Sequence, residues 1–176
     1  MKLNAKKLRR TSASPKDLSE IKKNDIYIIL DNVLDTYNVG AIFRLADAVA
    51  AKKVILCGYT ETPPNSRIKK ASINTTEWVD WEYCESAVDA LRKLKNQNSK
   101  VKTIAIEQNP KSIQYTKANY NFPIALVVGN ETHGVTKEAL EFADQIVELP
   151  MHGVNVSLNV MVTLAIVLYK ALEKNS

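Results

Sequence analysis

Residues 31–44, DNVLDTYNVGAIFR, follow the apolar run IYIIL at 26–30 and lead into a segment with helical spacing. A continuous apolar run of this length is typical of a strand that is covered on both faces of a sheet. Over residues 39–50 the apolar side chains recur at the spacing of one buried helix face: Ile42, Leu45, Ala46 and Val49. The stretch therefore predicts a strand that turns directly into a helix.

The same alternation continues along the chain. Apolar runs predict further strands at 54–56, 78–83, 101–106, 123–128 and 145–149. Helical spacing predicts helices at 86–95 and 137–143 and a long helix from about Ser157, whereas residues 58–70 are predicted to be a loop. Strands separated by helices indicate an α/β fold with a mainly parallel sheet and helices on both faces.

Length and composition favour one domain. A chain of 176 residues with 45% hydrophobic content buries one substantial core, and we expect a basic arm at 1–20 and a single domain at 21–176. Two cysteines, Cys57 and Cys84, fit neither a disulfide framework nor a metal cluster. The apolar segment 158–172 is too short and too interrupted to span a membrane, so we expect a cytoplasmic protein.

Positive charge is concentrated at the amino terminus. The net charge is +5, and five cations fall in the first ten residues without an acid among them: Lys2, Lys6, Lys7, Arg9 and Arg10. Such an arm suits a phosphate backbone, because releasing counterions from the phosphates drives binding. A frayed and merely soluble terminus explains the same charges, and both interpretations stay open.

The glycines point to a ligand site. Four of the five lie in turns beside apolar strands: Gly40, Gly129, Gly134 and Gly153. Ligands of open α/β sheets bind at the carboxyl ends of strands, so these turns are expected to surround one site. Neither G-x-G-x-x-G nor G-x-x-x-x-G-K-[ST] occurs, which argues against a dinucleotide fold and a P-loop.

Polar residues in three segments are candidates for that site, although each has an ordinary structural explanation. Arg44 fits a solvated arginine paired with Asp47, and Glu131 fits a carboxylate in water. Asn38, Ser157 and Asn159 are all residue types that begin helices. His133 and His152 have no evident acid or metal partner and are expected at the surface, so no metal site is predicted.

Taken in order, the three segments resemble the three motifs of the SpoU/TrmH family of the SPOUT methyltransferases. The segments are DNVLDTYNVGAIFRLADAV, LVVGNETHGV and ELPMHGVNVSLNVMVTLAIVLY, and the resemblance extends over roughly residues 25–170. The resemblance implies a SPOUT fold whose carboxyl-terminal part forms a trefoil knot. It also implies an enzyme that uses S-adenosylmethionine to methylate ribose 2′-hydroxyls in tRNA or rRNA.

The resemblance assigns the roles of the family's motif residues to the matching positions of this sequence. The catalytic set would be Arg44, Asn38, Glu131, Ser157 and Asn159. The cofactor would be bound by Ile106, Gly129, Leu149, Met151, Ser157 and Leu158. RNA would be bound by Lys6, Lys7, Arg9, Arg10, Arg67 and Lys70.

A free guanidinium is essentially never deprotonated in proteins, so we interpret Arg44 as a charge that orients phosphate and stabilises the developing alkoxide. Glu131 and Asn38 are expected to hold it. Asn74 stands where the family commonly has glycine, in the region of the expected substrate loop. Two other functions stay open: a non-catalytic RNA-binding or assembly protein, and a methyltransferase that acts on a base.

The carboxyl-terminal helix predicts a homodimer. Between 158 and 172, apolar side chains lie all around the helix: Leu158, Val160, Met161, Leu164, Ala165, Val167, Leu168, Ala171 and Leu172. A helix of this kind is buried on more than one face, and one sheet covers a single face. The family resemblance also implies pairing through this region.

Overall fold

The computed structural model describes residues 13–175, and within them seven strands form one sheet. The strand order is β3-β2-β1-β6-β4-β7-β5, and all neighbouring strands are parallel. The strands are β1 (Asn24–Asp31), β2 (Ala51–Cys57), β3 (Trp81–Cys84), β4 (Lys102–Ile106), β5 (Ile113–Gln114), β6 (Ile124–Gly129) and β7 (Gln145–Glu148). The helices are α1 (Pro15–Ser19), α2 (Thr36–Ala48), α3 (Ser66–Ser72), α4 (Ala87–Gln97), α5 (Lys137–Phe142) and α6 (Val160–Asn175). The predicted α/β fold is confirmed.

Apolar cores lie on both faces of the sheet, which explains the continuous apolar run of β1. Ile28 packs in the core that includes Phe43 of α2 and Leu168 of α6. Its neighbour Ile29 packs on the opposite face, against Leu91 of α4. Both isoleucines are fully buried, as expected for a parallel strand with helices on either side.

Two helices begin at residues other than those predicted, and both differences bear on the site. Helix α2 begins at Thr36, because the Asp35 carboxylate accepts the Tyr37 N–H at 2.8 Å. Asn38 therefore lies inside the first turn, and its side chain is available for other contacts. Helix α6 begins at Val160, where Asn159 Oδ1 accepts the Met161 N–H at 2.9 Å, so Ser157 does not start that helix.

The prediction of a loop over 58–70 is wrong for its last five residues, 66–70, which belong to α3. Asn65 caps this helix by accepting the N–H groups of Arg67 and Ile68 at 2.9 and 3.2 Å, and Ile68 is fully buried. Helix α3 crosses α2 so closely that a Cβ on Gly40 would lie 2.6 Å from the Ala71 Cβ. Glycine at position 40 therefore permits this crossing.

Neighbouring strands end level with one another and set the position of the site. Asp31 at the end of β1 pairs with Cys57 of β2 and with Gly129 of β6. The segments that follow these strands therefore meet at one edge of the sheet. Of the four glycines expected in turns around one site, Gly129 and Gly134 lie at this edge, but the prediction is wrong for Gly40, which lies inside α2. The trefoil knot stays a prediction.

The predicted basic arm lies mostly outside the described part of the chain. Residues 1–12, which include Lys2, Lys6, Lys7, Arg9 and Arg10, are not among the residues described, and the division into arm and domain stays a prediction. Within residues 13–175, no helix is long and apolar enough to cross a membrane.

Candidate active site

A cavity of about 560 Å³ opens at the carboxyl ends of β4, β6 and β7. All six residues predicted to bind the cofactor line it: Ile106, Gly129, Leu149, Met151, Ser157 and Leu158. They are distant in sequence and meet because β4 lies between β6 and β7 in the sheet. The volume falls within the range of about 300–1,000 Å³ that is usual for small-molecule sites.

The wall of this cavity after β6 is a tight loop closed by two glycines. Asn130 and Gly134 exchange backbone hydrogen bonds of 3.0 and 2.9 Å. A Cβ on Gly129 would lie 2.1 Å from the Gly134 carbonyl carbon, and Gly134 itself has a φ of +70°. The Asn130 amide donates to the Asn32 carbonyl at 2.9 Å, which ties the loop to the end of β1. The turn needs glycine at both positions.

Glu131 projects from this loop to the amino terminus of α2. Its two carboxylate oxygens accept the backbone N–H groups of Leu34 and Asp35, each at 3.1 Å. One of them also accepts the Asn38 amide at 3.1 Å. A carboxylate is favourable at a helix amino terminus because the N–H groups there are unpaired and carry partial positive charge. Glu131 is exposed, as the simple alternative of a carboxylate in water expects, but its oxygens are also bonded to the chain.

The hydrogen bonds to Glu131 also change its acidity. Partial burial by itself raises the pKa of the Glu131 carboxyl, but the hydrogen bonds from Asn38, Leu34 and Asp35 outweigh burial. The net pKa lies below the ordinary value of 4.5. Glu131 is therefore ionised at neutral pH and acts as an acceptor.

Asn38 connects Glu131 to the start of α6. Its amide group donates to Glu131, and its oxygen accepts the Asn159 amide at 2.9 Å. Asn38 is buried, so each of these bonds replaces water that the side chain has lost. Asn159 serves two purposes, because its oxygen caps α6 while its nitrogen reaches Asn38. Three of the five residues predicted as catalytic thus form one hydrogen-bonded chain.

The other two predicted catalytic residues have unused polar groups. The Ser157 hydroxyl makes no hydrogen bond to the described residues and lies in the lining of the cavity. Arg44 is exposed on α2 and makes neither a hydrogen bond nor an ion pair within residues 13–175. The alternative that Arg44 pairs with Asp47 is wrong, since the two residues form no ion pair; Asp47 instead accepts the Trp78 indole N–H at 2.7 Å. Glu131 and Asn38 were also expected to hold Arg44, but neither makes a hydrogen bond or an ion pair with it in the single chain.

Two cavity residues, Glu107 and Gln108, were missed by the sequence analysis. The Glu107 carboxylate accepts the N–H groups of Val135 and Gln108 at 2.9 and 2.8 Å, so it joins the end of β4 to the loop after β6. The Gln108 amide donates to the Val156 carbonyl and holds the segment before α6. Their position directly after an apolar strand was the signal that could have identified them.

The two histidines and the cations of α3 are exposed. His133 and His152 lie at the surface as predicted. Arg67 and Lys70 are also exposed, and neither makes an ion pair with the described residues, whereas Lys69 between them pairs with Glu77 at 3.0 Å. Arg67 and Lys70 are therefore available to an anionic ligand.

A model of the SpoU rRNA methylase family matches residues 25–169 of the chain. The chain belongs to the SpoU rRNA methylase family. It is 33% identical to the tRNA (guanosine(18)-2′-O)-methyltransferase of Aquifex aeolicus over 162 residues. The alignment covers 89% of this chain and 72% of that protein. The predicted SpoU/TrmH methyltransferase is thereby confirmed.

Solved structures of SpoU methyltransferases have the same fold. The A. aeolicus TrmH/SpoU tRNA-modifying enzyme superposes with a TM-score of 0.80 at 30% identity, covering 97% of this chain and 82% of that one. An AdoMet-bound rRNA methyltransferase from Sinorhizobium meliloti superposes with a TM-score of 0.79 at 28% identity, covering 89% and 60% of the two chains. The fold therefore agrees with the family assignment.

Proposed function

We propose that this protein transfers the methyl group of S-adenosylmethionine to a ribose 2′-hydroxyl in tRNA or rRNA. The observation that carries the proposal is the hydrogen-bonded chain Glu131–Asn38–Asn159, which borders the cavity lined by the predicted cofactor residues. The names of similar proteins support the same reaction, since the A. aeolicus relative is a tRNA 2′-O-methyltransferase and the S. meliloti structure is an rRNA methyltransferase.

The lining of the cavity fits S-adenosylmethionine. Its apolar side chains suit the faces of an adenine ring: Ile106, Val128, Leu149, Met151 and Leu158. The Glu107 carboxylate and the Ser157 hydroxyl supply polar groups for ribose hydroxyls and for a positive charge. When bound, the cofactor supplies an electrophilic methyl group on a sulfonium centre.

The five predicted catalytic residues divide into two roles. Glu131, Asn38 and Asn159 use their polar atoms on one another and on helix termini, so they are positioning residues that fix α2 against α6. The side-chain polar groups of Ser157 and Arg44 bond to none of the residues 13–175, and these two are the residues that contact the substrate. The guanidinium of Arg44 stays charged, orients a phosphate and stabilises negative charge as it develops on the ribose oxygen. Holding the ribose oxygen in line with the methyl group supplies much of the rate.

We further propose that the protein is a homodimer formed through α6. Leu164, Val167, Leu168 and Ala171 are buried in the core of their own chain, where α6 contacts α2 and β6. The apolar surface that remains lies on the outer face of α6 and just before it: Val156, Leu158, Val162 and Tyr169. This surface adjoins the cavity, so a second copy seated on it closes the mouth of the site. Sedimentation equilibrium tests the dimer, and an active monomer at low micromolar concentration refutes it.

Nucleoside analysis of a strain that lacks the gene tests the reaction and separates the three candidate functions. We expect one 2′-O-methylnucleoside to disappear from tRNA or rRNA and to return when the gene is restored. Loss of a base-methylated nucleoside identifies a base methyltransferase. Unchanged modification in both RNAs identifies a non-catalytic RNA-binding protein.

A further inference from the structure

A second depression lies at the same edge of the sheet, and the proposed methyl-transfer site makes no use of it. Three aromatic side chains line it: Tyr59, Trp81 and Tyr83. Tyr59 exposes 85% of its surface and Tyr83 exposes 50%, whereas Trp81 is partly buried and packs against the core. Exposed aromatic side chains that cluster at one place mark an association site more often than residues scattered singly.

The loop that carries Tyr59 is held firmly, although the Tyr59 ring is not packed. The Tyr59 N–H donates to Asn32 Oδ1 at 3.0 Å. The buried Thr60 hydroxyl donates to the Leu30 carbonyl at 3.2 Å and accepts the Val33 N–H at 2.9 Å. The Tyr83 hydroxyl donates to the Gly58 carbonyl at 3.2 Å. The rings are therefore presented by a fixed backbone, which lowers the entropy lost when a ligand binds.

The sheet register places this depression close to the proposed site. Gly58 follows Cys57, Cys57 pairs with Asp31, and Asp31 pairs with Gly129 of the cofactor cavity. Strands β2 and β6 lie on either side of β1, so their ends are two strand spacings apart, which is roughly 10 Å. One bound RNA strand therefore reaches both places.

The negative charge in the lining of the depression favours a nucleobase over a phosphate as the ligand. The one carboxylate in the lining is Glu61, which makes no hydrogen bond or ion pair with the described residues. A carboxylate repels phosphate but accepts hydrogen bonds from the amino groups of bases. Arg67 and Lys70, which make no ion pair with the described residues, lie on α3 directly after the same loop, where they suit the phosphates on either side of the base.

We propose that Tyr59, Trp81 and Tyr83 form a stacking platform for an unpaired nucleobase that flanks the methylated nucleotide of the RNA substrate. Arg67 and Lys70 bind the adjacent phosphates. Unpaired bases stack on aromatic side chains irrespective of their identity, because every base has a π-face. This inference rests on the proposed function, since it assigns the platform to the RNA that is methylated.

Fluorescence titration with a short single-stranded RNA that contains one 2-aminopurine tests the platform. Tyr59→Ala should weaken binding about 5- to 150-fold, which corresponds to the loss of one stacked base. The slope of log affinity against log salt should stay the same, because no charge is removed. Tyr59→Phe retains the ring and should bind like the parent. The double variant Arg67→Gln/Lys70→Gln should instead reduce the slope by about 1.4.

Three results overturn the platform: a parent protein that does not bind the RNA, a Tyr59→Ala variant that binds like the parent, or an equal loss of affinity for a duplex of the same sequence. Calorimetry with S-adenosylmethionine on each variant shows that the cofactor cavity is unaffected. Methyl transfer by the parent is measured separately. Transfer without a Tyr59 effect overturns the platform alone, whereas a Tyr59 effect without transfer to any RNA overturns the proposed function.

Discussion

The Glu131 carboxylate joins the loop after β6 to the amino terminus of α2, and Glu131→Gln should weaken that junction. One oxygen accepts the Asp35 N–H and the Asn38 amide, and the other accepts the Leu34 N–H. A glutamine retains one acceptor oxygen and places an NH₂ group where the other was. The variant therefore loses one hydrogen bond, opposes two donors to each other, and removes the charge from the remaining bonds.

These changes set the size of the effect. Hydrogen bonds to charged groups contribute about 1.5–3 kcal/mol, against about 1 kcal/mol for neutral ones. Glu131 is partly accessible to water, which replaces some of the hydrogen bonding that the variant gives up. We expect the free energy of unfolding to fall by about 1–2 kcal/mol at neutral pH. Urea denaturation followed by circular dichroism measures this difference.

The dependence on pH gives an independent check. Because folding lowers the pKa of Glu131, the stability it contributes is fully present above the ordinary value of 4.5 and is lost as the pH falls through the lowered pKa. The difference in the free energy of unfolding between the parent and Glu131→Gln should therefore be largest at pH 7 and should decrease below pH 4.5. Glu85→Gln is the matched control, since Glu85 is exposed and makes no hydrogen bond or ion pair with the described residues. Equal stability of Glu131→Gln and the parent, or a gap that does not change with pH, refutes the reasoning.

Three further outcomes are expected. Asn38→Asp should lose stability at neutral pH, because a second carboxylate would face Glu131 at the present 3.1 Å contact. The double variant N38D/E131Q removes this charge repulsion and should recover part of the lost stability in urea denaturation, and no recovery argues against the direct contact. Arg44→Ala should abolish methyl transfer while calorimetric binding of S-adenosylmethionine stays intact, since Arg44 does not line the cavity; near-normal turnover removes it from the catalytic set. Deleting residues 1–10 removes five cations and should flatten the salt dependence of RNA binding by nearly one unit of log–log slope for each phosphate that the arm neutralises; an unchanged slope identifies a merely solvated tail.

The fold could be predicted in outline because its signals are local. The run at 26–30 is apolar at every position, and both Ile28 and Ile29 are buried on opposite faces. The helix at 66–72 was missed because its signal is a single cap, Asn65, within a segment rich in turn residues. Caps outside a strong apolar pattern resemble ordinary loop residues in a sequence.

The candidate site could be predicted in its members but not in its connections. The family motifs supply Asn38, Glu131 and Asn159, yet no local pattern reveals that Asn38 bonds to a residue 121 positions away. The bond from Val135 to Glu107 could not be predicted for the same reason, because these residues become neighbours when β4 and β6 pair. Long-range contacts follow from the strand order, which periodicity alone leaves undetermined.

The most direct test of methyl transfer at this site uses purified protein, S-adenosylmethionine with a deuterated methyl group, and RNA from a strain that lacks the gene. The RNA is digested to nucleosides and analysed by mass spectrometry. The proposed function predicts deuterium in a single 2′-O-methylnucleoside with the parent protein and none with Arg44→Ala. Deuterium on a base, or equal labelling by the parent and Arg44→Ala, contradicts it.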